Sequence, residues 1–564
     1  MIGAALLGAT SVHAQRANAT PSVRSSIQHV LLVSIDGLHQ SDLDWYVGHV
    51  PDSTLARLVR EGRSYTRASA PFPSDSFPGL LAQVTGALPA VTGVYYDDSY
   101  SRMLLPAGTT DCRGARPGAE VALVAILDRD SARLDAGQQI PELYGDLSRI
   151  RDLTGSPREL LDPRQLPVDA QTCQPILPHQ YLRSNTVFDV AHAHGLRTAW
   201  ADKHPSYEIL QGSSGVGVDD LFAPEIDGSM TDPSAPGGAG AGFASDNTAT
   251  QTYDQLKVNA VLQWIAGYDH AGKNAVGTPA IFGMNFQSIS TAQKLNLSDY
   301  FSDPAIPTSR EHGGLGGYVN GGLEPGPVLR GALRFVDEQL QRMIAALNLG
   351  SSVVVLSAKH GQSPRDRSRL LVIDDKQMLA ALEAAWARAH PEGVRPLVAH
   401  AVDDDGVVLW LNDRTASATR FTAQFLRGYR GEGLGSDAHG KSVSRKFDDG
   451  GIARVYAGRD AALFLGARAD DERVPDIVCV ARAGSVWAGH ELNKIAEHGG
   501  AAVDDRNVPI VVWGAGIRAG TSSATVHTTQ IAPTLLSLLG LPQSELASAR
   551  NGTLLPLPGL SAVR

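Results

Sequence analysis

The chain has 564 residues, of which 43% are hydrophobic and 19% are charged, proportions that are ordinary for a globular protein with a sizeable core. Its formal net charge of −10 argues against binding of a nucleic-acid polymer as the main role, because that role usually needs a basic surface. An anionic small molecule remains a suitable ligand, since a bound metal or a local lysine outweighs a mild overall field.

The N-terminal residues 1–14 form a short apolar stretch, MIGAALLGATSVHA. Small residues at its end predict cleavage of a signal peptide after Ala14, and hence a periplasmic or secreted protein. Nothing later in the sequence approaches about 18 uninterrupted apolar residues, so no membrane span is expected. The sequence does not indicate an oligomeric state.

Short, continuously apolar runs recur along the chain, as expected for strands that are covered on both faces. The predicted strands are His29–Ile35, Thr198–Ala201, Pro279–Phe286, Ser352–Ser357, Val407–Leu411 and Pro509–Trp513. The clearest helix has an apolar stripe from Leu329 to Leu347 and is expected to end at Gly350. This alternation predicts an α/β domain over about residues 28–545, with a largely parallel central sheet and helices on both faces.

Two segments have the composition of insertions. Residues 111–182 are rich in proline, aspartate and arginine, and residues 231–250 have the composition of a flexible loop. Cys112 and Cys173 lie in polar parts of the first segment and are able to form a disulfide in an oxidising compartment. Cys479, within the apolar run DIVCV, is predicted to be a buried strand thiol.

Polar side chains follow several of the predicted strands. Asp36 follows VLLVSI, Lys359 and His360 follow VVVLSA, and Lys203 and His204 follow the strand that ends in TAWA. Because parallel strands end at the same edge of a sheet, these side chains are expected to lie close together. Ligands in such sheets bind beyond the carboxyl ends of the strands, so this edge is the predicted site.

Two further residues are candidates for the same site. Ser76 lies where a helix is expected to begin near Phe77, and His498 precedes the run VPIVVW by a short loop. Each residue alone is weak evidence, since an aspartate after a strand is often only a turn former. The joint arrangement is what indicates chemistry.

With these residues in place, the sequence resembles the alkaline phosphatase superfamily, and within it the nucleotide pyrophosphatase/phosphodiesterase branch. The resemblance runs from about Val30 to Leu541. It rests on the stretches VLLVSIDGLHQSDL, TRASAPFPSDSFPGLLAQVTGALPAVTGVYYDDSY, RTAWADKHPSY, LRFVDEQLQRMIAAL, VVVLSAKHGQSP, IAEHGG and VHTTQIAPTLLSLLGL.

The resemblance implies a metal-dependent hydrolase of phosphodiester or phosphomonoester bonds in a small-molecule substrate. Ser76 would bind the metal through its oxygen and form a covalent phosphoserine, with Asp36, His360 and His498 as further metal ligands. The helix near Phe77 would direct free N–H groups at the anion. Imidazole ligands favour zinc, whereas a site with more oxygen ligands would favour manganese or calcium.

The expected metal site departs from the family pattern. Lys359 stands where the family has an aspartate. Ile289 and Gln293 align with a second aspartate and a histidine, and Asn285 and Gln287 are alternative replacements. Neither isoleucine nor a neutral amide replaces such a ligand well, so one ion is expected rather than two.

One interpretation is that the ammonium group of Lys359 replaces the missing cation and takes part in catalysis. The single ion would then be held by Asp36, Ser76 and His360. Asp97, at the position of an asparagine that contacts phosphate in the family, would bind substrate, pair with Lys359 or join the metal shell.

Lys203 and His204 are predicted to contact a substrate oxyanion or to protonate a leaving group. The alternative is a loop in which Asp202 only stabilises Lys203. At the level of the whole chain, a degenerate relative that binds an anionic ligand is the second hypothesis. A sulfatase is a poorer one, because the arginine expected shortly after the nucleophile is absent from SFPGL.

Overall fold

The structure, a computed structural model, describes residues 27–140, 147–229, 242–301, 310–391, 395–489, 491–551 and 554–560. The strands are β1 (His29–Ile35), β2 (Arg63–Ser69), β3 (Asp98–Ser101), β4 (Ala119–Ala122), β5 (Thr198–Ala201), β6 (Asp220–Phe222), β7 (Ile281–Phe286), β8 (Leu297–Phe301), β9 (Arg310–Leu315), β10 (Tyr318–Val319), β11 (Glu324–Pro325), β12 (Ser352–Ser357), β13 (Leu371–Asp374), β14 (Val398–Asp403), β15 (Gly406–Leu411), β16 (Gly431–Ser436), β17 (Ser442–Phe447), β18 (Ile452–Ala457), β19 (Ile477–Ala481), β20 (Ser485–Ala488), β21 (Asn507–Gly514) and β22 (Gly520–His527). The α-helices are α1 (Gln40–His49), α2 (Thr54–Glu61), α3 (Ser76–Thr85), α4 (Pro89–Thr92), α5 (Pro178–Tyr181), α6 (Val187–Ala193), α7 (Asn247–Ile265), α8 (Ser288–Lys294), α9 (Pro327–Ala346), α10 (Asp375–Ala389), α11 (Ala416–Gly428), α12 (Arg459–Phe464), α13 (Val503–Arg506) and α14 (Ile531–Leu538).

The central sheet has eight strands in the order β22-β2-β21-β12-β1-β7-β5-β6. Strand β21 runs antiparallel to both of its neighbours, and the remaining strands run in one direction. The predicted α/β fold with a largely parallel sheet is therefore confirmed. The carboxyl ends of β5, β7, β1 and β12 meet at one edge of the sheet.

Both faces of this sheet are buried. Side chains of β1 alternate between two hydrophobic clusters, with Leu31 and Val33 in one and Val30 and Leu32 in the other. Helices α7 and α9 pack on the first face, and α3, α6 and α14 on the second. Burial on both faces explains why the strands are apolar throughout rather than alternating.

The predicted bounds of β1, β5 and β12 are confirmed. The predicted helix is α9, but it ends at Ala346 rather than at Gly350, because the backbone becomes extended at Leu347. The run Val407–Leu411 is a strand, but it lies outside the central sheet.

That strand, β15, belongs to a smaller unit between Leu371 and Ala488. It contains two four-stranded sheets, in the orders β17-β16-β13-β20 and β14-β15-β19-β18, together with α10, α11 and α12. The unit has a hydrophobic cluster of its own, which includes Cys479 on β19. The predicted buried strand thiol is confirmed at this position.

The first predicted insertion is largely irregular and is crosslinked. It contains β4, short 3₁₀ segments, α5 and a disulfide between Cys112 and Cys173. The predicted signal peptide, residues 1–14, lies outside the described residues. Within the described part of the chain, no helix is long and apolar enough to cross a membrane.

The predicted flexible loop, residues 231–250, is only partly described. Residues 231–241 of it lie outside the described part of the chain, whereas its last residues form the first turn of α7, which corrects the prediction there. The Asp246 side chain accepts a hydrogen bond from the Ala249 N–H and so caps this helix.

Helix α3 lies unusually close to the end of β12. A Cβ atom added at Gly79 would lie 2.3 Å from the carbonyl oxygen of Lys359. Only a glycine lets these two backbone segments approach each other so closely, because that oxygen belongs to a buried strand end and cannot rotate away.

We predict that Gly79→Ala displaces α3 and lowers the free energy of unfolding by about 1–3 kcal/mol. Gly48→Ala is the matched control, since nothing lies within 4 Å of its added Cβ on the exposed side of α1. Chemical denaturation of the two variants measures the difference. Equal stability of the two variants would show that the close approach is not a constraint.

Candidate active site

The first residue of the site is Asp36, which follows β1 and is fully buried. Its Oδ2 accepts a hydrogen bond from Gln287 Nε2 at 2.5 Å and lies 3.4 Å from Lys203 Nζ. Lys359 Nζ lies 3.9 Å from its Oδ1. Burial opposes ionisation of Asp36, but the Lys359 and Lys203 ammonium groups outweigh it and hold the pKa of Asp36 well below its usual range.

Ser76 is the first residue of α3 and is 1% exposed. Its Oγ lies 2.9 Å from Lys203 Nζ, 3.2 Å from His360 Nε2 and 3.3 Å from Asp36 Oδ2. Lys203 donates a hydrogen bond to this oxygen. The Ser76 hydroxyl can in turn donate to His360 Nε2 or to Asp36 Oδ2. The site therefore surrounds one serine oxygen with a cation, an imidazole and a carboxylate.

The amino end of α3 does not direct free N–H groups at an anion, which corrects the prediction. The Asp75 carboxylate accepts hydrogen bonds from the N–H groups of Ser76 and Phe77. Pro78 has no N–H group, and the Gly79 N–H donates to the Asp75 carbonyl. Burial and the nearby Asp97 carboxylate raise the pKa of Asp75 well above its usual value.

Lys203 is the cation that contacts Ser76. Its side chain is 14% exposed, and it follows β5 at the same edge of the sheet as Asp36. Burial opposes its charge, but Asp36 and Asp202 raise the pKa of Lys203 above its usual value. The group is therefore positively charged at neutral pH.

Lys359 lies behind Asp36 rather than against Ser76. Its Nζ donates to both oxygens of Asp202, at 3.0 and 3.1 Å, and to the Tyr207 hydroxyl at 2.7 Å. The pair expected between Lys359 and Asp97 is therefore wrong, because Asp202 on the neighbouring part of the edge takes the ammonium group. Burial lowers the pKa of Lys359 despite the pull of Asp202.

His360 presents one nitrogen to the serine. Its Nδ1 lies 2.9 Å from the Gly361 carbonyl oxygen, which accepts a hydrogen bond from this nitrogen and leaves a lone pair on Nε2 facing Ser76. Burial lowers the pKa of His360 to about 4, so the imidazole is neutral at physiological pH. A backbone carbonyl that fixes the tautomer in this way is typical of metal-binding histidines.

The other predicted residues surround this centre. His498 lies with its ring 4.6 Å from that of His360, but its Nδ1 is directed towards Asp404 and Asp75. His204 is buried, and its Nδ1 lies 2.8 Å from Glu225 Oε1, an arrangement that fixes the ring beside Lys203.

Two of these groups have altered acidity. Burial and Lys203 lower the pKa of His204 to about 4, which makes it a poor proton donor at neutral pH. Asp97 is partly exposed, and burial raises its pKa against the pull of Lys203.

Three donor atoms fit a single metal ion. Asp36 Oδ2, Ser76 Oγ and His360 Nε2 lie 3.2–3.9 Å from one another. Ligands about 2.0–2.2 Å from a tetrahedral ion are roughly this far apart. Asp36 Oδ1 is buried and has no hydrogen-bond partner in the described part of the chain, which leaves a second oxygen for the ion.

Ile289 and Gln293, which align with two metal ligands of the family, do not fit an ion. Ile289 lies in the hydrophobic core, and the Gln293 amide donates to the Gly37 carbonyl at 2.9 Å. Gln287, one of the alternative replacements, donates a hydrogen bond from its Nε2 to Asp36. The atom that faces Asp36 is therefore an amide nitrogen, which does not bind a cation.

Sequence reasoning missed the roles of Asp75, Asp202 and Tyr207. Asp75 occupies the position before a predicted helix, where aspartate is a preferred cap, and this signal was available. Asp202 directly follows β5, so the sequence also allowed the prediction that it lies at the edge of the sheet where the strands end. The partner of Lys359 depends on the order of strands in the sheet, which the sequence does not state.

Comparison with known proteins gives one family match over part of the chain and likenesses of the whole fold. A family model described as type I phosphodiesterase/nucleotide pyrophosphatase matches residues 30–109. Murine ectonucleotide pyrophosphatase/phosphodiesterase 5 is 12% identical with a TM-score of 0.51, and the alignment covers 92% of this chain and 96% of that one. The alkaline phosphatase PafA is 13% identical with a TM-score of 0.55, over 93% and 97% of the two chains. A search of curated protein sequences finds no match.

At these identities the structural likenesses establish the fold, which this chain shares with those two proteins. The match over residues 30–109 shows that the segment with Asp36 and Ser76 is similar to type I phosphodiesterases/nucleotide pyrophosphatases. The family resemblance predicted from the sequence is confirmed, and this match supports a phosphoric ester hydrolase.

The contact between Lys359 and Asp202 generates a prediction about stability. We expect Lys359→Met and Asp202→Asn each to destabilise the fold by about 3–5 kcal/mol, because each leaves a buried charge without its partner. The double variant should lose less than the sum, with a coupling energy of about 1–3 kcal/mol measured by chemical denaturation.

The exposed pair of Arg468 and Asp470 provides the control cycle, since the two side chains are 84% and 69% exposed. Arg468→Met and Asp470→Asn should show no measurable coupling. Purely additive losses in the buried cycle would contradict the assigned role of Lys359.

Proposed function

We propose that the protein is a metal-dependent hydrolase of phosphodiester or phosphomonoester bonds, with Ser76 as its nucleophile. The observation that carries this proposal is the contact of one buried serine oxygen with Lys203, His360 and Asp36. The Lys203 ammonium group stabilises the ionised form of this hydroxyl, which is the form that attacks phosphorus, and His360 Nε2 and Asp36 Oδ2 are acceptors for the hydroxyl proton.

In the proposed reaction, the Ser76 hydroxyl loses its proton to solvent and its oxygen attacks the phosphorus. The new O–P bond forms as the bond from phosphorus to the leaving oxygen breaks, and that oxygen takes a proton from water. A water molecule then attacks the phosphoserine, the bond from Ser76 to phosphorus breaks, and the serine is protonated again. Lys203 stabilises the serine oxyanion and the charge on the phosphoryl oxygens throughout.

Asp36, Ser76 and His360 would hold the divalent ion, with zinc as the proposed metal and one ion at this set of ligands. When bound, it would lower the pKa of the serine hydroxyl and shield the phosphoryl oxygens. Lys359 would lie behind Asp36 and would balance the negative charges of Asp36 and Asp202. The proposed role of Lys359 is thus to position Asp36, and Lys203 is the lysine that meets the substrate.

A nucleotide-like phosphate ester is the proposed kind of substrate. The murine relative has been solved as an inactive variant in complex with AMP. His204 would position Lys203, and Asp97 would face the substrate at the partly exposed rim. The disulfide between Cys112 and Cys173 supports the proposal that the protein works in the periplasm or outside the cell, since disulfides persist in oxidising compartments.

A binding protein without turnover is the second candidate. It is favoured by one observation, which is that Ile289 and Gln293 occupy positions where the family has metal ligands. The cleft would then hold an anion between Lys203 and the histidines. Measurement of turnover separates the two candidates.

We predict that Ser76→Ala lowers kcat on bis(p-nitrophenyl) phosphate or p-nitrophenyl phosphate by about a thousandfold or more, because no other side chain replaces the nucleophile. Ser69→Ala is the control, since that hydroxyl bonds only to the adjacent Ala70 carbonyl among the described residues. Its rate should stay close to that of the unaltered protein.

Chelation should abolish the same activity, and added zinc should restore it. Persistent turnover in Ser76→Ala would refute the nucleophile. Absence of turnover by the unaltered protein with zinc, manganese and calcium would favour the binding protein.

A further inference from the structure

The smaller unit reaches the active site through one turn. This turn connects β14 to β15 and contains consecutive aspartates, of which Asp404 faces the site. The Asp405 N–H donates to the His498 carbonyl at 2.9 Å, and the Trp487 N–H donates to the Asp404 carbonyl at 2.8 Å. These backbone bonds fix the Asp404 side chain beside the His498 ring.

Three side chains converge at this point. One ligand atom each from Asp404, Glu497 and His498 lies within 4.8 Å of the other two. His498 Nδ1 is 3.6 Å from Asp404 Oδ2 and 3.9 Å from Asp75 Oδ2. These separations are too long for hydrogen bonds. They suit ligands that share an ion at about 2.0–2.2 Å, which lie roughly 3–4 Å apart.

The imidazole supplies an independent sign of a missing partner. His498 is 8% exposed, and its Nδ1 is buried with no hydrogen-bond partner in the described part of the chain. Buried polar nitrogens are nearly always satisfied, so an orphan directed at two carboxylates requires an explanation. A cation between the nitrogen and the carboxylates satisfies all of them.

The surrounding charges are compatible with a cation. Lys294 and Lys494 each pair with one oxygen of Glu497, at 2.7 and 2.8 Å. A carboxylate has about four acceptor positions, so Glu497 retains lone pairs for an ion. Asp404 accepts a hydrogen bond from the Tyr96 hydroxyl at 2.8 Å and has no lysine or arginine partner among the described residues. Its carboxyl group therefore retains acceptor positions for a metal.

We propose that Asp404, Glu497 and His498 bind a divalent transition-metal ion of the zinc class, with Asp75 at its edge. This site shares no ligand with the set of Asp36, Ser76 and His360, so the inference does not depend on the proposed hydrolysis. It differs from the sequence-based prediction, in which His498 binds the ion at Ser76. Because Asp75 caps α3, the ion would connect the turn of the smaller unit to the helix that carries the nucleophile.

The test is zinc binding by the full-length chain after removal of metal, measured by equilibrium dialysis with elemental analysis. We expect two zinc ions per unaltered chain, one in Asp36→Asn, one in Asp404→Asn and none in the double variant. Affinity at the second site should fall by about tenfold or more in Asp404→Asn. Asp403→Asn, the same substitution at the last residue of β14, should bind as the unaltered protein does.

A second measurement guards against misfolding. Zinc should raise the Tm of Asp36→Asn but not that of Asp36→Asn combined with Asp404→Asn or with His498→Gln, because only a bound ion stabilises the native state. Unchanged zinc count and affinity in Asp404→Asn would overturn the inference. Loss of zinc in Asp404→Asn with no effect of Asp36→Asn would support it and would contradict the ion proposed at Ser76.

Discussion

The Asp36 carboxylate is buried at the end of β1, and the arrangement around it follows from the cost of burying an anion without compensation. Lys203 lies 3.4 Å from one of its oxygens and Lys359 lies 3.9 Å from the other. Lys359 is in turn held by Asp202, so the charges form a chain rather than a single pair. Removal of either a lysine or its carboxylate would therefore leave a buried charge without a partner.

This charge balance explains how the predicted metal site differs from the family pattern and still keeps three donor atoms around Ser76. Lys359 stands where the family has a ligand aspartate, but Asp202 holds its ammonium group behind Asp36. A core residue, Ile289, and an amide residue, Gln293, stand at two other ligand positions of the family. Three donors remain together around Ser76, where a single ion fits. The cation directly against Ser76, the proposed nucleophile, is Lys203, and Lys359 lies behind Asp36.

Much of this site was predictable because parallel strands deliver their ends to one edge. Asp36, Lys203, Lys359 and His360 each follow an apolar run that forms a strand of the central sheet, and their convergence follows from that topology alone. Ser76 was predictable from the family resemblance and from its place at the start of a helix. Asp75, by contrast, uses the N–H groups that were expected to bind the anion.

The remaining errors come from relationships that one-dimensional patterns do not contain. The partner of Lys359 depends on the order of the strands. Lys359 follows β12 and Asp202 follows β5, and the two side chains meet across the ends of β1 and β7, which lie between those strands. Strand β15 has the same apolar pattern as the central strands but is paired antiparallel with β14 and β19. The end of the predicted flexible loop is helical because Asp246 caps α7 and because that helix packs on α9.

The most direct measurement of the central claim is a crystal structure of the protein soaked with vanadate, which mimics a phosphoryl group in transfer. We predict that the vanadium lies at bonding distance from Ser76 Oγ and that Lys203 Nζ donates to one of its oxygens. Vanadate bound elsewhere in the cleft, with Ser76 still hydrogen-bonded to Lys203 and His360, would contradict the account.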